Sequence, residues 1–176
     1  MRLVTVLFIA AFILFPLQAW AQNKIAVVDV EKIINESKAG KSIQDQLKSR
    51  RESFQKEFSA HENELMEAEK KLVEEKPNMK PEEFAKKRQE FEKKLLETRN
   101  LFQKRRSALD KGLGNALAEL RKNIVETTAQ ISDEDGYQVI ITRDSVVIVE
   151  KTLDITDKVL SNLDKKVSKI DLAVAK

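Results

Sequence analysis

Between Ile43 and Leu113 the heavy side chains of this sequence are laid out as a near-palindrome. The first run reads Ile43, Leu47, Arg51, Phe54, Phe58, His61, Leu65, Ala68, Leu72, and after an opening step of four its intervals alternate four and three. That spacing is the seam of a helix packed against a partner helix. A second run reads Phe84, Arg88, Phe91, Leu95, Thr98, Phe102, Arg105, Leu109 and then Leu113. Reflected about Asn78, Leu72 falls on Phe84, Leu65 on Phe91, Phe54 on Phe102, Leu47 on Leu109 and Ile43 on Leu113. Residues that face each other in an antiparallel pair of equal rise must share one midpoint. The pattern therefore predicts one long helical hairpin.

Pro77 and Pro81 stand at the reflection point. Proline inside a helix costs about 3 kcal/mol, so the pair marks the tip, with Pro77 ending the first helix and Pro81 starting the second. At a first-turn position the missing N–H of Pro81 is not needed, and Glu82 and Glu83 sit at the positive end of the helix dipole. Arms of this length project on the order of 50–60 Å. Off the seam the chain is charged, and Glu82/Lys86, Glu83/Lys87 and Glu90/Lys94 have the favourable i,i+4 order.

The text outside the hairpin is of another kind. Lys24 to Val30, Gly136 to Asp144 and Ser145 to Thr152 are rich in β-branched residues and read as strands, with Arg143-Asp144-Ser145 as a turn between the last two. Glu31 to Glu36 reads as a short helix. So does Asp154 to Lys166, where Asp154 can cap and Ile155, Val159 and Leu163 share a face. Three short strands and two small helices make a poor independent core. The strand region is therefore expected to associate, most simply as a closed symmetric oligomer.

Residues 1–21 read as a signal peptide: Arg2, an apolar run from Leu3 to Phe15, then Ala19-Trp20-Ala21. The run is shorter than the roughly 20 residues that span a bilayer. The sequence has no cysteine, which excludes disulfides, thiol catalysis and a lipidated N-terminal cysteine. Charged residues make up 35% and aromatics 6%, a balance that favours exposed helices over a compact α/β enzyme. A net charge of +3 is too small to make nucleic acid the expected ligand. There is no Gly-rich phosphate loop, and the single histidine, His61, lies on the seam opposite Leu95 without a nucleophile. No cofactor, metal or catalytic residue is expected.

Two features invite function. Arg51 reflects onto Arg105, with Arg50, Lys104 and Arg106 at the same height; facing cations either splay into water or share an anion, and guanidinium matches phosphate. Gly112 and Gly114 interrupt helical text near the root of the returning arm, either as a flexible hinge or as a close-packing position.

The opening KIAVVDVEKIINES, the hairpin and the closing DITDKVLSNLDKK together resemble the OmpH-type (Skp) periplasmic chaperones of Gram-negative bacteria across the whole mature chain. The resemblance implies a homotrimer whose strands build a small β-barrel hub, with three arms around a cavity. It implies ATP-independent holding of unfolded outer-membrane proteins before their insertion, and a basic arm cluster that binds lipopolysaccharide. Arg105 and Arg106 fall on that cluster; a lysine expected upstream falls on Leu95, with Lys93 and Lys94 beside it.

The expected fold is thus α+β, a coiled-coil-like hairpin arm over 43–113 with its tip at 77–81. It rises from a discontinuous strand-rich body of 22–42 and 114–176 that trimerises. The expected function is a periplasmic holdase with Lys86, Lys87, Arg88, Lys93 and Lys94 drawing clients in and Met79 and Phe84 supplying adaptable grip. The alternative is a structural coiled-coil spacer or adaptor of the envelope.

Overall fold

The computed structural model describes residues 24–173, so the signal-peptide expectation lies outside the described residues. The elements in order are β1 (Ile25–Val28), α1 (Val30–Glu36), α2 (Lys38–Glu75), α3 (Pro81–Asp135), β2 (Val139–Thr142) and α4 (Thr156–Lys166). Short 3-10 turns occupy Lys76–Asn78, Arg143–Ser145 and Lys151–Leu153. The fold is mostly helical, with two long helices and one small two-stranded sheet.

Each helix boundary has a local cause. The Asp29 carboxylate accepts from the Lys32 N–H at 2.8 Å and starts α1. Ser37, extended at ψ 154°, ends α1 and caps α2 through Oγ, which accepts from the Gly40 N–H at 3.1 Å. Gly40 lies where α2 leaves α1, and a Cβ there would sit 1.8 Å from the Ile34 carbonyl oxygen. Only glycine fits. At the far end Gly136 takes φ +71° and closes α3 by donating to the Ser132 carbonyl at 2.9 Å, the left-handed ending glycine favours.

The core lies at the root of the long helices. Ala26 and Val28 of β1, Ile33 of α1, Ile43 of α2, Leu120, Ile124 and Ile131 of α3, and Val159 and Leu163 of α4 form one buried cluster. Ile155, Val159 and Leu163 all point inward as their spacing predicts. The N-cap of α4 is Ile155, not Asp154 as expected; Asp154, one residue earlier, accepts from the Thr156 N–H at 2.9 Å. Lys32–Asp157 at 2.8 Å and Lys158–Asp135 at 2.6 Å pin the same helix to its neighbours.

β1 and β2 pair in parallel, Ile25 opposite Val139 through Val28 opposite Thr142. Parallel neighbours need a long connection between them, and the entire hairpin serves as that crossover. The other edge of β1 takes a single bridge to Asp154, where the Ile155 N–H reaches the Val27 carbonyl at 2.9 Å.

The third expected strand does not form. Ser145–Thr152 makes no ladder; the chain turns sharply at Arg143–Ser145, and Val147 and Ile148 are 94% and 86% exposed. β-Branched residues favour extended backbone, but a strand also requires an edge to pair with. Within this one chain the run pairs with none.

The helical hairpin is present, and the predicted Phe54–Phe102 pair forms. Phe54 and Phe102 meet edge to face at 5.3 Å between ring centroids, and Phe102 also touches Phe58 at 5.0 Å and His61 at 5.5 Å. Lys87 bonds Glu75, Lys94 approaches Glu64 and Arg105 pairs with Glu57. Phe54–Phe102 has its midpoint at Asn78, as the reflection predicts, and the longer polar side chains reach partners whose midpoints fall at residues 79–81. Lys76–Asn78 continues the first arm as a tightened turn, and the chain reverses through extended Met79 and Lys80 before Pro81 opens α3.

Candidate functional site

The surface of the hairpin is the candidate site, because it is long and largely free of tertiary contacts. Between Ile43 and Gly112 only Phe102 is buried among the described residues; Phe54, Phe58, Leu65, Leu72, Phe84 and Phe91 are half-buried, and the seam positions Arg51, Arg88, Leu95 and Arg105 are exposed. Two helices present each other one narrow stripe and leave their remaining faces to water.

In the expected basic cluster Arg51 is exposed, and Arg105 forms an ion pair with Glu57 across the seam. Arg50, Lys104 and Arg106 are exposed at neighbouring heights, and Lys104 lines a shallow groove with Asn100, Gln103 and Lys111. His61 packs its ring against Phe102. Its Nδ1 is buried and unbonded, 3.8 Å from the nearer Glu64 carboxylate oxygen.

Most of the cations expected to draw in partners are already matched. The Lys87 ammonium donates to the Glu75 carboxylate at 2.8 Å, which raises its pKa above the ordinary lysine value. Arg88, expected on the seam, is exposed and donates to Glu92 at 2.9 Å; Lys87 is the half-buried residue at that height. Lys93 lies 3.9 Å from Glu97 and Lys94 3.5 Å from Glu64. Lys86 is exposed. At the tip Met79 and Phe84 are half-buried, and the Lys76 ammonium rests 5.3 Å from the Phe84 ring centroid, a cation–π contact. Part of the apolar grip expected of Phe84 is therefore already used within the tip.

Unanticipated apolar side chains take that place. Met66 is 62% exposed, Val73 64%, Leu96 57% and Leu95 45%. At about 100° per residue, Met66 and Val73 each lie one position beyond a seam residue of α2, Leu65 and Leu72, and Leu96 lies one beyond Leu95 of α3. The signal was legible: a Leu-Leu doublet has one member off the seam, and Met66 and Val73 are one heptad apart outside it.

Gly112 is buried, whereas Gly114 is exposed and a Cβ added there would meet nothing within 4 Å; α3 runs through both without interruption. Among the described residues no helix is long and apolar enough to cross a membrane.

Comparison with known proteins places this architecture. The family model for outer membrane protein (OmpH-like) matches residues 24–163. The crystal structure of a candidate outer membrane chaperone (OmpH-like) from Caulobacter crescentus CB15 superposes with a TM-score of 0.80 at 18% identity, covering 86% of this chain and 89% of that one. At that identity the likeness speaks for the fold. No curated protein matches the sequence.

Proposed function

Because the chain belongs to the OmpH-like outer membrane protein family, we propose that it is a periplasmic holdase chaperone, working without ATP on unfolded outer-membrane proteins. The observation that carries the reading is the line of solvent-facing Met66, Val73, Leu95 and Leu96 on an arm with little buried core. Scattered apolar contacts on a slender support suit a client of no fixed shape. Each contact is weak, and affinity accrues through effective concentration when several arms surround one chain. Unfolded barrel proteins carry alternating apolar residues and unpaired strand edges that aggregate unless covered.

Several arms imply several copies. Val147 and Ile148 project from a strand-like segment beside a sheet of only two strands, an arrangement that supports strand exchange between protomers and a homotrimeric β-barrel hub. In this reading residues 43–113 form the arm, and 22–42 with 114–176 form the body behind a cleaved signal peptide over 1–21. The exposed cations Arg50, Arg51, Lys104 and Arg106 form the anion-binding patch for lipopolysaccharide or an anionic membrane surface. Arg105, neutralised by Glu57, contributes less. Gly114 gives the returning arm its play and Gly112 serves close packing.

The test is dilution of a urea-unfolded outer-membrane protein into buffer with the chaperone, read by turbidity. Suppression is expected at a stoichiometric amount of trimer, and native mass spectrometry should find one client per trimer. Met66→Glu with Leu96→Glu should weaken suppression severalfold without unfolding the arm. Full aggregation in the presence of the wild-type trimer overturns the holdase reading.

A further inference from the structure

The chain continues past α4, and the family match stops at residue 163. Residues 167–173 form neither helix nor ladder, yet they are held in place. Val167 turns to extended backbone at φ −134°, ψ 103°. Ile170 and Leu172 are then 3% and 4% exposed and belong to the same buried cluster as Ile43, while Asp171 between them faces water.

Besides the burial of Ile170 and Leu172, one side chain holds the main chain of this segment. Gln46 of α2 donates from Nε2 to the Ile170 carbonyl at 2.8 Å and accepts at Oε1 from the Leu172 N–H at 2.9 Å. Those two backbone groups flank a single residue, Asp171. A neighbouring strand in a parallel ladder would offer its donor and acceptor to the same pair of groups. The Gln46 amide thus stands in for one residue of an adjacent strand. It is itself oriented by Ser42, whose carbonyl and Oγ both lie 3.1 Å from Nε2.

Such a clamp reads very little. It contacts only main chain, and it leaves the outward residue unread. The groove beneath requires apolar side chains at two alternate positions, which in an extended chain point the same way. Lys169–Asp171 at 2.6 Å is a contact within the tail and adds nothing to the groove.

We propose that this groove at the root of the hairpin is a binding site for extended peptide with apolar residues at alternate positions, and that the chain's own C-terminal segment is its resident occupant. The client chemistry that fits is a strand of an unfolded membrane barrel, which alternates in the same way. The choice of that client rests on the holdase reading above; the groove and its occupant do not. Because the tail is tethered, its effective concentration is in the millimolar range or higher, and a free peptide meets a site already competed for. The tail therefore acts as a built-in competitor that sheds a client as it rebinds.

The test uses the full chain. Ile170→Asp with Leu172→Asp places two carboxylates where apolar groups are required and ejects the tail. Leu172→Pro removes the N–H that Gln46 accepts from, at far smaller cost to the core, and serves if the double variant does not fold. The probe is a fluorescein-labelled peptide of residues 167–173, read by anisotropy, with circular dichroism as the control for folding. Both variants should bind it roughly tenfold or more tightly than the wild type, and adding Gln46→Ala should remove most of that gain. A peptide of the same composition with its Ile and Leu adjacent should bind weakly. A peptide alternating Thr with Val and Leu should displace the probe. Equal binding by wild type and variants, indifference to Gln46→Ala, or failure of the alternating peptide to compete would each overturn the proposal. Turbidity suppression is measured separately: its loss with peptide binding intact speaks against the holdase, and the reverse speaks against the groove.

Discussion

Replacing glycine by alanine should have opposite effects at Gly40 and Gly114. In a helix interior the substitution alone is worth about 1 kcal/mol of stabilisation. At Gly114 nothing lies within 4 Å of the added carbon, so the gain should appear nearly in full. At Gly40 the new Cβ would sit 1.8 Å from the Ile34 carbonyl oxygen and 2.9 Å from its carbon. An ordinary carbon–oxygen contact is about 3.3 Å, so α1 and α2 must separate by roughly 1.5 Å. The obstacle is backbone and cannot swing aside as a side chain would. Overpacking of this kind costs about 1–3 kcal/mol and occasionally more. The shift also strains the Ser37 cap, worth about 1 kcal/mol, since Ser37 Oγ is only 3.1 Å from the same Cβ. Set against a propensity gain of about 1 kcal/mol, Gly40→Ala should destabilise by about 1–3 kcal/mol and Gly114→Ala should stabilise by about 0.5–1 kcal/mol. Urea unfolding followed by circular dichroism at one fixed protomer concentration measures both. A Gly40→Ala variant as stable as the wild type would refute the packing argument at the α1–α2 junction.

Phe102→Ala removes the one buried ring of the arm and its contacts with Phe54, Phe58 and His61; a loss near the low end of the usual range of about 3–5 kcal/mol is expected, and amide exchange should accelerate in the arm before the root. Acid should weaken the start of α4. Burial tends to raise the Asp154 pKa, but hydrogen bonds from Thr156 and the charge of Lys32 outweigh it, so the value lies below the ordinary one. A depressed carboxylate contributes stability above its unfolded pKa and loses it as pH falls through the folded value; Asp154→Asn should flatten the stability profile below about pH 4. Lys32 and Lys158 are raised by hydrogen bonds to Asp157 and Asp135. Their contribution is present below the ordinary lysine pKa and fades as pH rises through the higher folded values, so stability measured above about pH 10.5 should fall less in Lys158→Gln than in the wild type. Val147→Asp with Ile148→Asp should leave the secondary structure intact and shift native mass spectra toward monomer.

The hairpin was legible because its cause is periodic and local. A four–three stripe, two prolines and a reflection specify two antiparallel helices whatever else the chain does. The aromatic register was legible too, since Phe54 and Phe102 meet as reflected. The polar partners were not, because long charged side chains reach along the seam, and Arg105 finds Glu57. The buried face of α4 was readable for the same local reasons as the hairpin, and Asp154 bonds its first turn from one residue before the N-cap. The third strand failed for the opposite reason. Ser145–Thr152 has the right residues, but its pairing partner is not specified anywhere near it in sequence. Gly40 and Gln46 carried no signal of their own, because a close approach and a two-bond clamp are made by elements that meet only in three dimensions.

Stability and surface are divided unevenly along this chain, and the division is what fits the hairpin to a changeable partner. The root gathers β1, α1, α4 and the lower turns of both long helices around Leu120, Ile124 and Val159, all essentially inaccessible to water. Above it the two helices have only each other. Segments with few buried contacts open at lower free energy than the core that anchors them, so the arm bends and separates without cost to the root. Its cross-arm pairs, Glu57–Arg105, Glu64–Lys94 and Glu75–Lys87, lie at partly exposed sites where such pairs contribute little to stability. They bias the register instead, since each sets a carboxylate against a cation across the seam. A hairpin held in register by weak charges, and together by one aromatic cluster around Phe102, can follow a client's shape and still return to the same alignment.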